Sequence, residues 1–166
     1  MKKIHEILRK ILAGICVSLL AALVCTVTWQ VFSRYVLKNP SGMSEELAKI
    51  IFVWMVLLAA AYLFGEIDGH MNIGILSDKV KGKKKIVLAL LSQIAILWFV
   101  GFVLVLGGNA AVKNGMKQTN AAIPFITTGQ IYMALLICGL FVVYFCAYFI
   151  YEDVKQLISK DKEGSV

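Results

Sequence analysis

Charged residues fall in short blocks along this chain, and long uncharged stretches separate them. The uncharged stretches run from Ile11 to Ser33, Ile50 to Gly65, Ile86 to Val112 and Gln118 to Tyr151. Crossing a bilayer core of ~30 Å takes ~20 helical residues. The first stretch meets that length directly. The second reaches it if Leu47 and Ala48 join it and Lys49 extends its ammonium toward the headgroups. Gly107 and Gly108 are expected to end the third helix, and Pro124 is expected to delay the fourth until about Thr127. The runs are continuously apolar and show no period of two, so they predict helices and not barrel strands. The expectation is an all-α integral membrane protein, a single membrane domain over 1–166, with transmembrane helices at about 11–33, 46–65, 86–107 and 127–151.

Composition supports this reading: 60% of residues are hydrophobic, 16% are charged and the mean hydropathy is +0.80. A soluble domain needs a more polar surface. Twelve of the 17 Lys and Arg residues lie in the N-terminal tail, the middle loop and the C-terminal tail, against five elsewhere, which places both termini in the cytoplasm. The net charge of +7 therefore reflects topology and contact with anionic lipid, and no basic domain is left over to bind nucleic acid. Within the first twelve residues, Ile4, Ile7, Leu8, Ile11 and Leu12 oppose Lys2, Lys3, Arg9 and Lys10, the pattern of an amphipathic helix lying in the inner interface. The basic end of the first span is the simpler alternative. The long apolar run has no small-x-small site before Arg34, so it reads as an uncleaved helix and not as a signal peptide.

Solute or ion movement generally needs ionisable groups, broken helices or a polar cavity near the midplane, and the four stretches offer almost none of these. His5 and His70, the two histidines, both flank spans, and Cys16, Cys25, Cys138 and Cys146 form no C-x-x-C pair and read as small buried apolar residues. No catalytic, cofactor-binding or metal-binding motif is present, so an enzyme is not expected. In the first span Gly14, Ser18, Ala22 and Thr26 recur every four residues, a spacing that allows another helix to approach closely.

The stretch "NPSGMSEELAKIIFVW" is the most distinctive. Ser44 can cap the second helix, with Glu45 and Glu46 in the first turn, where the helix dipole favours negative charge. Glu45 precedes Lys49 by four residues, the favourable order for a helical ion pair. Glu46 is then left for Arg34, which emerges from the first span on the same side.

With "RYVLKNPSGMSEELAKIIFVW", "GHMNIGILSD" and "QTNAAIPFITTGQIYMAL", the chain resembles the small membrane subunit (DctQ type) of tripartite ATP-independent periplasmic, or TRAP, transporters. Met43 stands where members of that family often carry Trp, so an aromatic interface anchor is missing. The resemblance implies an importer in a bacterial cytoplasmic membrane, in which a periplasmic binding protein captures an organic acid and a large membrane subunit carries it inward with sodium. The small subunit would brace the large one and hold no cofactor itself; the sodium ions would belong to the large partner. The pair Arg34 and Tyr35 after the first span and the Ser-Glu-Glu-Leu start of the second are the most specific parts of the likeness; carried onto this sequence, Arg34, Glu45 and Glu46 would organise the outer hairpin, and Trp54 would support packing of the second helix. His70 would mark that helix's cytoplasmic end, and Pro124 would shape the outer loop, from which Lys113 and Lys117 could meet the binding protein. The competing expectation is a self-contained four-helix exporter or channel acting as a homo-oligomer, which the lack of an acidic residue in the first span disfavours.

Overall fold

The structure, a computed structural model, describes residues 2–39, 41–66, 83–120 and 122–163. Helices α1 (Lys2–Tyr35) and α2 (Gly42–Glu66) form a hairpin. The third rod is composite: α3 (Lys83–Phe99) passes unbroken into a π-helical stretch, Val100–Gly107, and then into α4 (Gly108–Gly115). Helix α5 (Thr128–Glu163) completes the bundle. Among the described residues four segments are long and apolar enough to cross a membrane: Lys3–Tyr35, Gly42–Gly65, Ile86–Gly115 and Thr128–Lys155.

Three boundaries differ from expectation. Residues 2–12 are the first turns of α1 itself and not a separate interfacial helix, because Leu8 and Leu12 pack into the bundle core. The third rod does not end at Gly107 and Gly108. A helix in an apolar environment keeps its backbone hydrogen bonds even through glycine, since no water is there to replace them. Gly108 serves instead as a packing position, where a Cβ would lie 3.6 Å from the Leu136 backbone nitrogen. Finally, α5 continues past Tyr151 to Glu163, and Asp153 is buried within it.

Helix α5 is the centre of the bundle. Its buried residues Ala134, Cys138, Val142, Phe145, Cys146 and Phe149 follow three- and four-residue steps. Phe145 and Phe149 meet Leu12 of α1 and Leu58 of α2, while Cys138 and Val142 meet Ala61 of α2 and Val100 of the π-helical stretch. Lipid tails are as apolar as leucine, so close packing, more than escape from water, selects these contacts. Glycine permits the closest ones. A Cβ on Gly115 would stand 2.7 Å from the Gly129 nitrogen, and one on Gly65 would stand 2.7 Å from the Phe145 ring.

Helix α1, by contrast, is largely uncovered. A Cβ on Gly14 would meet nothing within 4 Å, and the Ser18 and Thr26 hydroxyls donate to the carbonyls of Gly14 and Ala22 at 2.8 and 2.7 Å. The small-residue stripe is thus not a seam within this chain. The cysteines also divide: Cys138 and Cys146 are buried as expected, Cys16 is half-buried, and Cys25 is exposed on α1.

Candidate functional site

The ends of α1 and α4 and the starts of α2 and α5 gather at one end of the bundle, which the charge distribution assigns to the outside. Two short connections are folded there. Between α1 and α2, buried Ser33 donates its hydroxyl to the Asn39 carbonyl at 2.8 Å, and the Asn39 amide returns to the Ser33 carbonyl at 3.3 Å. Lys38 takes φ 50° to close this turn, a left-handed conformation uncommon outside glycine and asparagine.

Ser41, not Ser44, caps α2. Its hydroxyl accepts the Ser44 N–H at 3.4 Å and its carbonyl accepts the Glu45 N–H at 3.4 Å, so the helix begins at Gly42. Both serines precede the apolar run, and only the path of the chain from Asn39 distinguishes them. The expected pair of Glu45 and Lys49 is present at 3.2 Å, and the Lys49 ammonium also reaches Glu46 at 3.4 Å. Glu46 does not pair with Arg34. Its other carboxylate oxygen accepts from the Asn120 side-chain amide at 3.0 Å. Arg34 is exposed at the end of α1 and makes no ion pair among the described residues. The reason is local: the cation within reach of Glu46 is one turn further along α2, and Asn120 is brought in by the loop before α5.

That loop has more structure than a long exposed connection. The Asn120 side-chain oxygen accepts the N–H groups of Ala122 and Ile123 at 2.9 and 3.3 Å, and its own N–H donates to the Ile126 carbonyl at 3.1 Å. The Thr128 N–H donates to the Gln118 carbonyl at 2.9 Å, and Thr119 bridges Thr127. Ile123 points inward and is buried, whereas Pro124 and Phe125 stand exposed at the turn, Phe125 at 85%. Asn120 therefore closes the loop and ties it to α2 at once. It lies within "QTNAAIPFITTG", where asparagine ahead of a turn is the available signal, but nothing local to either residue marks its partnership with Glu46.

The remaining expected residues are dispersed. Trp54 packs beside the cluster of Leu12, Leu58, Phe145 and Phe149. Tyr35 is 73% exposed next to Arg34, and Lys113 and Lys117 are exposed at the same end. His70 lies outside the described residues. Sequence reasoning did not anticipate the polar contact between α3 and α5. There buried Gln93 donates its amide to buried Asp153 at 2.9 Å, and the Cys146 thiol donates to the Gln93 carbonyl at 3.2 Å. Among the described residues the Gln93 side-chain oxygen has no partner. Among the described residues no group of three metal-ligating side chains is assembled.

These features define a multi-pass helical membrane protein in which, among the described residues, the polar contacts between helices lie at the ends and joints of the bundle. Its family follows from comparison with known proteins. Residues 23–156 match the DctQ component of the tripartite ATP-independent periplasmic transporters, and the chain belongs to that family as a small TRAP transporter permease subunit. It is 33% identical over 166 residues to the sialic acid TRAP transporter small permease protein SiaQ of Vibrio cholerae, covering 100% of this chain and 94% of that one. It is also 24% identical over 142 residues to a protein of Haemophilus influenzae described provisionally as a TRAP transporter small permease protein, covering 86% of each.

Proposed function

We propose that this subunit is the stationary membrane partner in sodium-coupled import of an organic acid across the bacterial cytoplasmic membrane. A periplasmic binding protein delivers the acid, and a large membrane subunit binds both sodium and cargo and carries them inward. The small subunit packs against the large one and holds no cofactor. The observation behind this reading is the absence of any Asp, Glu, Lys, Arg or His from Ile11–Ser33, Ile50–Gly65, Ile86–Val112 and Gln118–Tyr151. Such spans carry no ionisable side chain with which to bind and release an ion at the midplane. The uncovered face of α1 supplies surface for a larger membrane partner, and the clasp of Glu46 with Asn120 supports an ordered outer surface for the delivering protein. Likeness to a sialic acid subunit makes a sialic acid the first cargo to test.

The test is reconstitution. The chain is purified with the neighbouring large subunit and placed in liposomes with the binding protein outside. Uptake driven by an inward sodium gradient is expected only when all three are present. Solute movement by this chain alone would instead establish the self-contained oligomer.

A further inference from the structure

At the end of the bundle opposite the clasp, the start of α1, the end of α2 and the last buried turns of α5 border an open hollow of about 200 Å³. Its wall carries His5, Glu6 and Arg9 from α1, Gly65 from α2, and Tyr148, Phe149 and Glu152 from α5. The His5 ring stacks on Tyr148 at 4.6 Å between centroids, and the Tyr148 hydroxyl donates to Glu152 at 2.8 Å. The charges in this wall are not joined to one another. Among the described residues Arg9 makes no ion pair with Glu6 or Glu152, and His5 Nδ1 is shielded from solvent and has no hydrogen-bond partner. A cation and two carboxylates thus share one small space while remaining apart.

Toward the middle of the bundle two of these helices, α1 and α5, border a second hollow of about 260 Å³, lined by Leu8 of α1 and by Ile137, Leu140, Phe141 and Tyr144 of α5. Leu8 is the neighbour of Arg9, and Tyr144 lies one turn before Tyr148. The lining of this hollow is apolar apart from the tyrosine hydroxyl. Polar and mixed-charge at the end of the bundle, apolar further in, the pair of hollows matches a molecule with a zwitterionic head and a hydrocarbon tail.

We propose that these hollows bind one aminophospholipid of the inner leaflet, with its phosphate at Arg9 and its ammonium between Glu6 and Glu152 against the Tyr148 and Phe149 rings. Guanidinium is well suited to phosphate, and carboxylates with aromatic faces hold a primary ammonium by hydrogen bonds and cation–π attraction. Two carboxylates disfavour an anionic headgroup such as phosphatidylglycerol. A choline headgroup keeps the charge but has no N–H to donate to Glu6 or Glu152, so an ethanolamine head fits best. The inner leaflet follows from the orientation set by the lysine and arginine distribution.

Native mass spectrometry of the full-length chain in mild detergent, titrated with short-chain phosphatidylethanolamine, tests the proposal. One lipid should bind at least tenfold more tightly than the choline or glycerol counterpart. Arg9→Gln and Glu152→Gln should each weaken it about tenfold, whereas Lys10→Gln, which removes a charge from the same turn but outside the hollows, should not. Water-soluble phosphoethanolamine should compete poorly, because it cannot occupy the apolar hollow. Equal binding of all three lipids, equal loss in Arg9→Gln and Lys10→Gln, or competition by phosphoethanolamine at the lipid's own concentration would overturn it. Circular dichroism on each variant confirms that the helices are intact before its binding is scored.

Discussion

The Glu46 carboxylate accepts a hydrogen bond from the Asn120 side-chain amide at 3.0 Å, across 74 residues of sequence. The same asparagine closes its own loop through the Ala122 and Ile123 N–H groups, so one side chain couples the loop's fold to its position over α2. Asn120→Ala removes both functions. Hydrogen exchange at Ala122 and Ile123 should speed up by tenfold or more, whereas Glu46→Ala should speed it up less, because the internal loop bonds survive. Unchanged exchange in Asn120→Ala would show that the loop is held by other contacts.

The partner of Glu46 can also be read by double-mutant cycle. Effects of Glu46→Ala and Asn120→Ala on uptake or complex assembly should be clearly non-additive, and those of Glu46→Ala and Arg34→Ala close to additive. The reverse pattern would restore the ion pair expected from sequence. Glu46→Gln retains an oxygen able to accept from Asn120 and should resemble the unmodified chain more closely than Glu46→Ala does.

Where α4 meets the start of α5 the approach is backbone to backbone. A Cβ on Gly115 would stand 2.7 Å from the Gly129 nitrogen and 2.8 Å from its Cα, and neither atom can rotate aside. Gly115→Ala should therefore cost about 1–3 kcal/mol through overpacking. Gly14→Ala, at an open position on α1, should cost little. Thermal unfolding in detergent compares the two, and equal losses would refute the assignment of Gly115 to a tight seam.

The polar joint between α3 and α5 makes a different kind of prediction. Asp153→Ala strands the Gln93 amide at both ends, since its oxygen is already without a partner among the described residues, and should cost about 1–3 kcal/mol. Gln93→Met in the Asp153→Ala background removes the whole amide, including the orphaned oxygen, at similar volume and should recover part of that loss, whereas Gln93→Met alone takes a donor from the buried Asp153 carboxylate and should be destabilising. If the double variant unfolds more readily than Asp153→Ala alone, the stranded amide is not the source of the loss.

What could be read from the sequence was set by long-range composition and by local spacing. Apolar runs bounded by charge define the four rods, because the length requirement of a bilayer acts on each run independently, and the i,i+4 pair of Glu45 and Lys49 is a property of one helix alone. Contacts between rods were not legible in the same way. Glu46 with Asn120 and Gln93 with Asp153 each join residues more than fifty positions apart, and the polar pattern around each is compatible with several partners. The glycine pair at Gly107 and Gly108 misled for a related reason: a breaker in water is tolerated within a helix bundle, and Gly108 is a packing position against α5.

Cys25 offers a direct probe of the surface that a larger partner would cover. It is the exposed cysteine of α1, while Cys138 and Cys146 are buried against neighbouring helices. In detergent, a small maleimide should modify Cys25 in the isolated chain far faster than Cys138 or Cys146, as peptide mass mapping would show. If α1 is the face applied to the large subunit, co-purified complex should protect Cys25 by at least tenfold, with little change at Cys138 and Cys146. A bulky label placed on Cys25 beforehand should then prevent assembly, whereas Cys25→Ser should assemble and resist the label's effect. Equal labelling of Cys25 in the free and assembled chains would move the interface to another side of the bundle.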